Sequence, residues 1–175
     1  LFFSSMNSPE LLRLSVLIDA ETTPAGKLPH LQSVVALLET DFPQSNILRH
    51  AYRRLARAQR SLHLFTQALE TLQKARTLTL QLDGKENVDV GQIDCETAST
   101  LCCLRRFSEA ELKFQHSREL FEAVRPRDEV MFEYLLFVLN KLRRLYTITE
   151  ESAKLRSLEQ VIQEVTAARI LAANT

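Results

Sequence analysis

Apolar positions along this chain recur three and four residues apart, the spacing of one helical face, and no run alternates as a half-buried strand would. Ser8-Pro9-Glu10 supplies an N-cap, a proline for the first helical position and an acid for the first turn. Leu11, Leu12, Leu14, Val16, Leu17 and Ile18 then predict a helix to about residue 21. Thr22-Thr23-Pro24-Ala25-Gly26 predicts a break, and a second helix is expected after Pro29, burying Leu31, Val34, Val35, Leu37 and Leu38 and ending before Pro43. A third helix over 45–62 turns Leu48, Tyr52, Leu55, Ala56 and Leu62 inward; a fourth, from Phe65 to Leu82, uses Ala68, Leu69, Leu72, Ala75 and Leu78. Gly84 suits the left-handed residue that closes a helix. A fifth helix is expected over 88–104 and a sixth over 107–124, capped by Ser108. After Arg125-Pro126-Arg127, a seventh over 128–146 carries Phe132, Leu135, Leu136, Leu139 and Leu142. Thr147 and Glu150 have capping-box spacing, which starts an eighth helix over 149–172 with Leu155, Leu158, Val161, Ile162 and Val165 on one side. The class is all-α.

Two of these helix pairs repeat each other at a distance of 42 residues. Phe65-Thr66-Gln67-Ala68-Leu69-Glu70 returns as Phe107-Ser108-Glu109-Ala110-Glu111-Leu112, with Ala56 over Ala98, Leu72 over Phe114, Ala75 over Ser117 and Leu78 over Leu120. A period in this range marks stacked units, none of which buries its apolar face alone.

The arrangement resembles the tetratricopeptide repeat, and its period the 42-residue kinesin-light-chain variety. In that family small residues let the two helices of a hairpin approach closely, while bulky ones wedge between hairpins. Ala56, Ala68 and Ala75, then Ala98, Ala110 and Ser117, match the small positions; Tyr52, Leu55, Phe65 and Leu72, then Phe107 and Phe114, match the wedges. Lys85 to Val90 falls where that variety has a charged loop between repeats. A degenerate third repeat aligns Leu139-Asn140 with Leu55-Ala56 and, after one inserted residue, Ala153 with Ala68. The family's proline at the end of the second helix is absent, Leu80 and Glu122 standing there, and Asp94 and Thr97 replace apolar residues. The resemblance implies a right-handed superhelix of about eight helices in stacked antiparallel hairpins. Its best repeats would be 46–84 and 88–124, with a degenerate one at 128–165, in a single domain over 8–175. Residues 1–7, beginning at Leu and not Met, read as a remnant of processing or fusion.

Lys and Arg together equal Asp and Glu at 22 each, so no global field draws the chain to nucleic acid or an anionic membrane. Any charge-driven function must come from local clustering, and one helix supplies it. Arg49, Arg53, Arg57 and Arg60, spaced four, four and three apart with His50 and Arg54 beside them, share a helical face. Arginine suits bidentate carboxylate or phosphate binding. Two readings stay open: a solvated face neutralised by Glu86, Asp89, Asp94 and Glu96, or a surface for an acidic ligand. The family resemblance implies that the first helix of each hairpin lines a concave groove. It thereby nominates Arg53, Arg57 and Arg60, then Gln92 and Ser99 with Cys95 and Cys102, then Lys141 and Arg144 with Tyr134 and Phe137, as a peptide-binding surface.

Other chemistry finds little footing. Cys95, Cys102 and Cys103 are odd in number and lack ligand spacing, which argues for a reducing, intracellular and cytoplasmic setting over a disulfide framework. The four histidines are scattered, and no Gly-rich phosphate loop, nucleophile elbow, zinc-protease or calcium-loop pattern is present. The sequence therefore predicts no enzyme, metal or cofactor. It predicts an adaptor that binds an acidic or phosphorylated peptide, without nucleic-acid binding or membrane insertion. The alternative is a structural subunit, or the helical-repeat domain of a larger assembly or enzyme, docking through its outer helix faces.

Overall fold

The computed structural model describes residues 9–124 and 129–173. Eight α-helices make up the described chain: α1 (Pro9–Ala20), α2 (Pro24–Asp41), α3 (Asn46–Ser61), α4 (Phe65–Asp83), α5 (Val88–Cys103), α6 (Phe107–Ala123), α7 (Glu129–Ile148) and α8 (Ser152–Ala173). They form two compact units, α1–α4 up to Lys85 and α5–α8 from Glu86 onward. The expected cap at Ser8, the break at Arg125-Pro126-Arg127 and the stretch 1–7 lie outside the described residues.

In the first unit α1 packs on α2, α2 on α3 and α3 on α4. The core is the set of apolar faces read from the spacing, with Ile18, Val34, Leu38, Leu48, Leu55, Leu72 and Leu78 all buried. Glu39 of α2 ties the layers together, accepting from the Tyr52 hydroxyl (2.6 Å) and the Lys74 ammonium (2.9 Å). Those two donors hold its carboxyl below the usual carboxylate range, the Tyr52 hydrogen bond foremost. The second helix departs from the reading in its start. It begins at Pro24, where a missing N–H costs nothing, and the Thr23 side chain caps it by accepting from the Gly26 N–H (3.1 Å). Pro29 lies inside the helix, where it removes one backbone donor.

In the second unit α5 packs on α6, α6 on α7 and α7 on α8, with a smaller contact between α5 and α7. Phe114, Phe121, Ile93, Val138, Leu139 and Leu142 fill its core. Glu111 of α6 repeats the tying role of Glu39. It accepts from the Tyr146 hydroxyl of α7 (2.9 Å) and the Lys154 ammonium of α8 (2.7 Å).

The small positions of both repeats behave as the pairing requires: Ala56, Ala68, Ala75, Ala98, Ala110 and Ser117 are all buried, and Ser117 donates to the Gly91 carbonyl across α5–α6 (2.7 Å). The repeat also reaches the backbone. His63 and Arg105, 42 residues apart, both sit in the left-handed region, at φ 60° and 58°. The following N–H reaches back five residues in each case, Leu64 to the Gln59 carbonyl (2.9 Å) and Arg106 to the Leu101 carbonyl (3.0 Å). This is the double-bonded helix ending that frees the chain to reverse.

The same turn recurs at Glu150, φ 59°, with the Glu151 N–H on the Tyr146 carbonyl (3.0 Å). It corrects the alignment of the third repeat. Leu155, whose N–H bonds to the Glu151 carbonyl, stands where Ala68 and Ala110 bond to Leu64 and Arg106. Ala153 is exposed and fills no small position. The capping box fails for the same reason: Thr147 is still inside α7, its hydroxyl donating to the Arg143 carbonyl (2.8 Å), and Glu150 is the reversing residue. Ser108 likewise caps nothing, since α6 begins at Phe107 with no side-chain cap.

Candidate functional site

The nominated residues fall on three helices, each the first of its hairpin. α3 holds five arginines (Arg49, Arg53, Arg54, Arg57 and Arg60) and no acid. Because an α-helix turns 100° per residue, its arginines do not share one environment. Arg49 and Arg53 are buried, only 7% and 8% exposed; Arg60 is half-buried and Arg57 exposed. Arg49 pairs with Asp83 at the end of α4 (3.2 Å), and Arg54 with Asp19 of α1 (3.7 Å). Arg57 is therefore the member of the row that presents itself to solvent.

In the second unit the nominated residues lie on the neighbouring helices α5 and α7. Gln92 and Ser99 are half-buried, the Ser99 hydroxyl donating to the Cys95 carbonyl one turn earlier (2.9 Å). Lys141 lies with its ammonium 4.9 Å from the centre of the Phe137 ring, and that ring is 55% exposed. Phe137, Lys141, Arg144 and Ile148, spaced four, three and four apart, make a single stripe on α7, and Ile148 is 62% exposed. An aromatic ring and an aliphatic side chain left in water beside two cations form a surface that can hold an anion and cover an apolar anchor together. Tyr134 is turned away from this use, stacked on Phe121 at 5.6 Å between centres.

Beside the stripe an open groove of about 450 Å³ is lined by Arg143, Arg144, Thr147, Ile148, Leu155 and Glu159. Sequence reasoning reached Arg144 but missed the groove, because it depends on the turn at Glu150 that sets where α8 returns. The signal that could have pointed to it is Ile148 following the Arg143-Arg144 pair, an apolar residue past the end of the buried seam.

Asp94, an irregular polar residue by sequence, proves to be a structural centre. Its carboxylate is fully buried and takes the Lys113 ammonium (3.0 Å) and the His116 Nδ1 (2.6 Å), both from α6. His116 Nε2 meets Glu86 (2.9 Å). Burial pushes the His116 imidazole pKa down, but the two flanking carboxylates push it up further, and the net shift is upward. Of the three cysteines, Cys95 is buried, and burial pushes the half-buried Cys102 thiol up, away from thiolate. Among the described residues no group of His, Cys, Asp and Glu is arranged to hold a metal ion, and no helix is long and apolar enough to cross a membrane.

No protein-family model matches the chain. No curated protein matches it in sequence. Two crystal structures of Podosopora anserina repeats, assigned to a kinesin light chain and described as nearly identical TPR-like repeats, are similar in fold. A variant form is 12% identical with a TM-score of 0.56, over 91% of this chain and 93% of that one. The parent form is 16% identical with a TM-score of 0.48, over 93% of this chain and 98% of that one. The first of these likenesses shows the fold: an all-α arrangement of helical hairpins similar to that of tetratricopeptide-like repeats.

Proposed function

We propose that this chain is a non-enzymatic scaffold that binds acidic segments of protein partners through the cationic faces of α3 and α7. The observation that carries the reading is the α7 stripe, where Lys141 and Arg144 lie between exposed Phe137 and Ile148. Arg57 extends the same character to α3. Carboxylates would be held by charge-assisted hydrogen bonds, with one or two apolar anchors covering Phe137 and Ile148. Such binding weakens as salt rises. The equal numbers of acids and bases argue against nucleic acid as the partner, and the odd number of cysteines suits a cytoplasmic setting.

The test is fluorescence anisotropy with a labelled peptide of alternating Glu-Glu-Leu triplets, using wild type and Arg57→Glu/Lys141→Glu. Arg57 is exposed and Lys141 half-buried, and thermal unfolding of both proteins checks that the fold survives the substitutions. The reading expects at least about a tenfold loss of affinity in the variant. Equal affinity would sink it.

A second reading has its own support. Leu12, Val16 and Leu17 of α1 are 40%, 63% and 36% exposed, an apolar face suited to a structural subunit that docks through outer helices. Permanent co-purification with a partner, insensitive to the α7 charges, would favour it.

A further inference from the structure

The turn between α7 and α8 combines features that helix formation does not require. Arg143 and Arg144 are both exposed and lie in the last turns of α7. The dipole favours cations only within the last turn of a helix, which holds neither arginine. It does not explain why neither makes an ion pair with a described residue while several other cations of the same unit do. Lys113 has Asp94, Lys154 has Glu111 and Glu151, Arg118 has Glu122, Arg106 has Glu109, and Arg169 has Glu129 and Glu133. Nor does it explain Ile148, left 62% exposed next to them, or half-buried Leu155 facing the same space. The two arginines are adjacent in sequence, so their side chains leave the helix about 100° apart and reach the groove from two directions. The groove's volume of about 450 Å³ falls within the range that holds a short peptide side-chain cluster or a drug-sized ligand.

We infer that this groove is a docking site for an acidic, amphipathic segment of a partner protein. An aliphatic side chain of the segment covers Ile148 and Leu155, and its carboxylates bridge the Arg143 and Arg144 guanidinium groups. The inference deepens the scaffold reading and rests on it, but it places the anchor at the hairpin turn, a surface that the Arg57 and Lys141 test does not touch. Glu159, on the same groove, sets the polarity: it repels a second acid there and accepts from a hydroxyl, amide or basic group at that end of the segment. The same glutamate weighs against an anionic membrane as the occupant. Two arginines less one glutamate leave a single net positive charge, too little to hold a bilayer surface.

The experiment uses the full chain, the labelled Glu-Glu-Leu peptide, its Lys-Lys-Leu counterpart, and vesicles of phosphatidylserine and phosphatidylcholine. Two variants, Arg143→Glu and the charge-keeping Arg143→Lys, are measured beside Arg57→Glu/Lys141→Glu, with thermal unfolding as the check on folding. The expected result is binding of the acidic peptide only, reduced at least about tenfold by Arg143→Glu and less by Arg143→Lys. The basic peptide and the vesicles stay unbound. If Arg143→Glu binds as wild type does while Arg57→Glu/Lys141→Glu does not, the groove assignment is overturned and the scaffold reading stands. Binding of vesicles that these variants abolish would overturn it in favour of a membrane surface. Failure of the wild type to bind the acidic peptide at about 1 mM would remove both.

Discussion

Replacing His116 by Ala should cost the α5–α8 unit about 2–4 kcal/mol, because it removes the middle of a buried charge network. A hydrogen bond to a charged group contributes about 1.5–3 kcal/mol, and His116 makes two such contacts. They are not equal. Glu86 is 43% exposed and regains water when its partner goes, so its share is that of a surface pair, about 0–1 kcal/mol. Asp94 has no exposed surface, and its carboxylate loses a donor at 2.6 Å that water cannot easily replace, which puts its share at about 2–3 kcal/mol. In a chain of this size that is a fall in Tm of roughly 5–15 °C. The His116 pKa is raised in the folded state above its ordinary value. Its contribution is therefore fully present below the unfolded pKa, near 6.5, and is lost as pH rises through the elevated folded value. Urea denaturation followed by circular dichroism should show the gap between wild type and His116→Ala larger at about pH 6 than at about pH 9. A gap under about 0.5 kcal/mol, or one that does not shrink at high pH, would refute the network's role.

Other consequences follow from the packing. Phe114→Ala, at a position 1% exposed, should cost about 3–5 kcal/mol, while Leu112→Ala, two residues away and 67% exposed, should cost under about 0.5, both read from denaturant midpoints. Gly84 closes α4 at φ 69° with open space where a side chain would stand. Gly84→Ala should therefore lower stability by about 1 kcal/mol through backbone strain alone, and Gly84→Asn by less.

The sequence carried the repeat because the repeat is written in side-chain volume. Ala68 and Ala110, or Leu72 and Phe114, occupy equivalent packed positions, and size is what such positions select. The third hairpin was misaligned because its register is set by backbone geometry. His63, Arg105 and Glu150 share a left-handed conformation but no chemistry, so no residue pattern announces the turn. Asp94 looked like a departure from apolar packing because its partners, Lys113 and His116, are 19 and 22 residues away on another helix. The arginine row of α3 was legible as a row, but its division into buried Arg49 and Arg53 and exposed Arg57 depends on neighbours that periodicity along one helix does not encode.

The central claim is that acidic partner segments are held by the cationic faces of α3 and α7. Affinity capture from native lysate, read by mass spectrometry with wild type and Arg57→Glu/Lys141→Glu side by side at low and high salt, tests it most directly. The account predicts partners rich in acidic segments that the wild type retains at low salt, releases at high salt, and that the variant fails to hold. Identical, salt-resistant partner lists for the two proteins would contradict it and move the working surface to the outer helices.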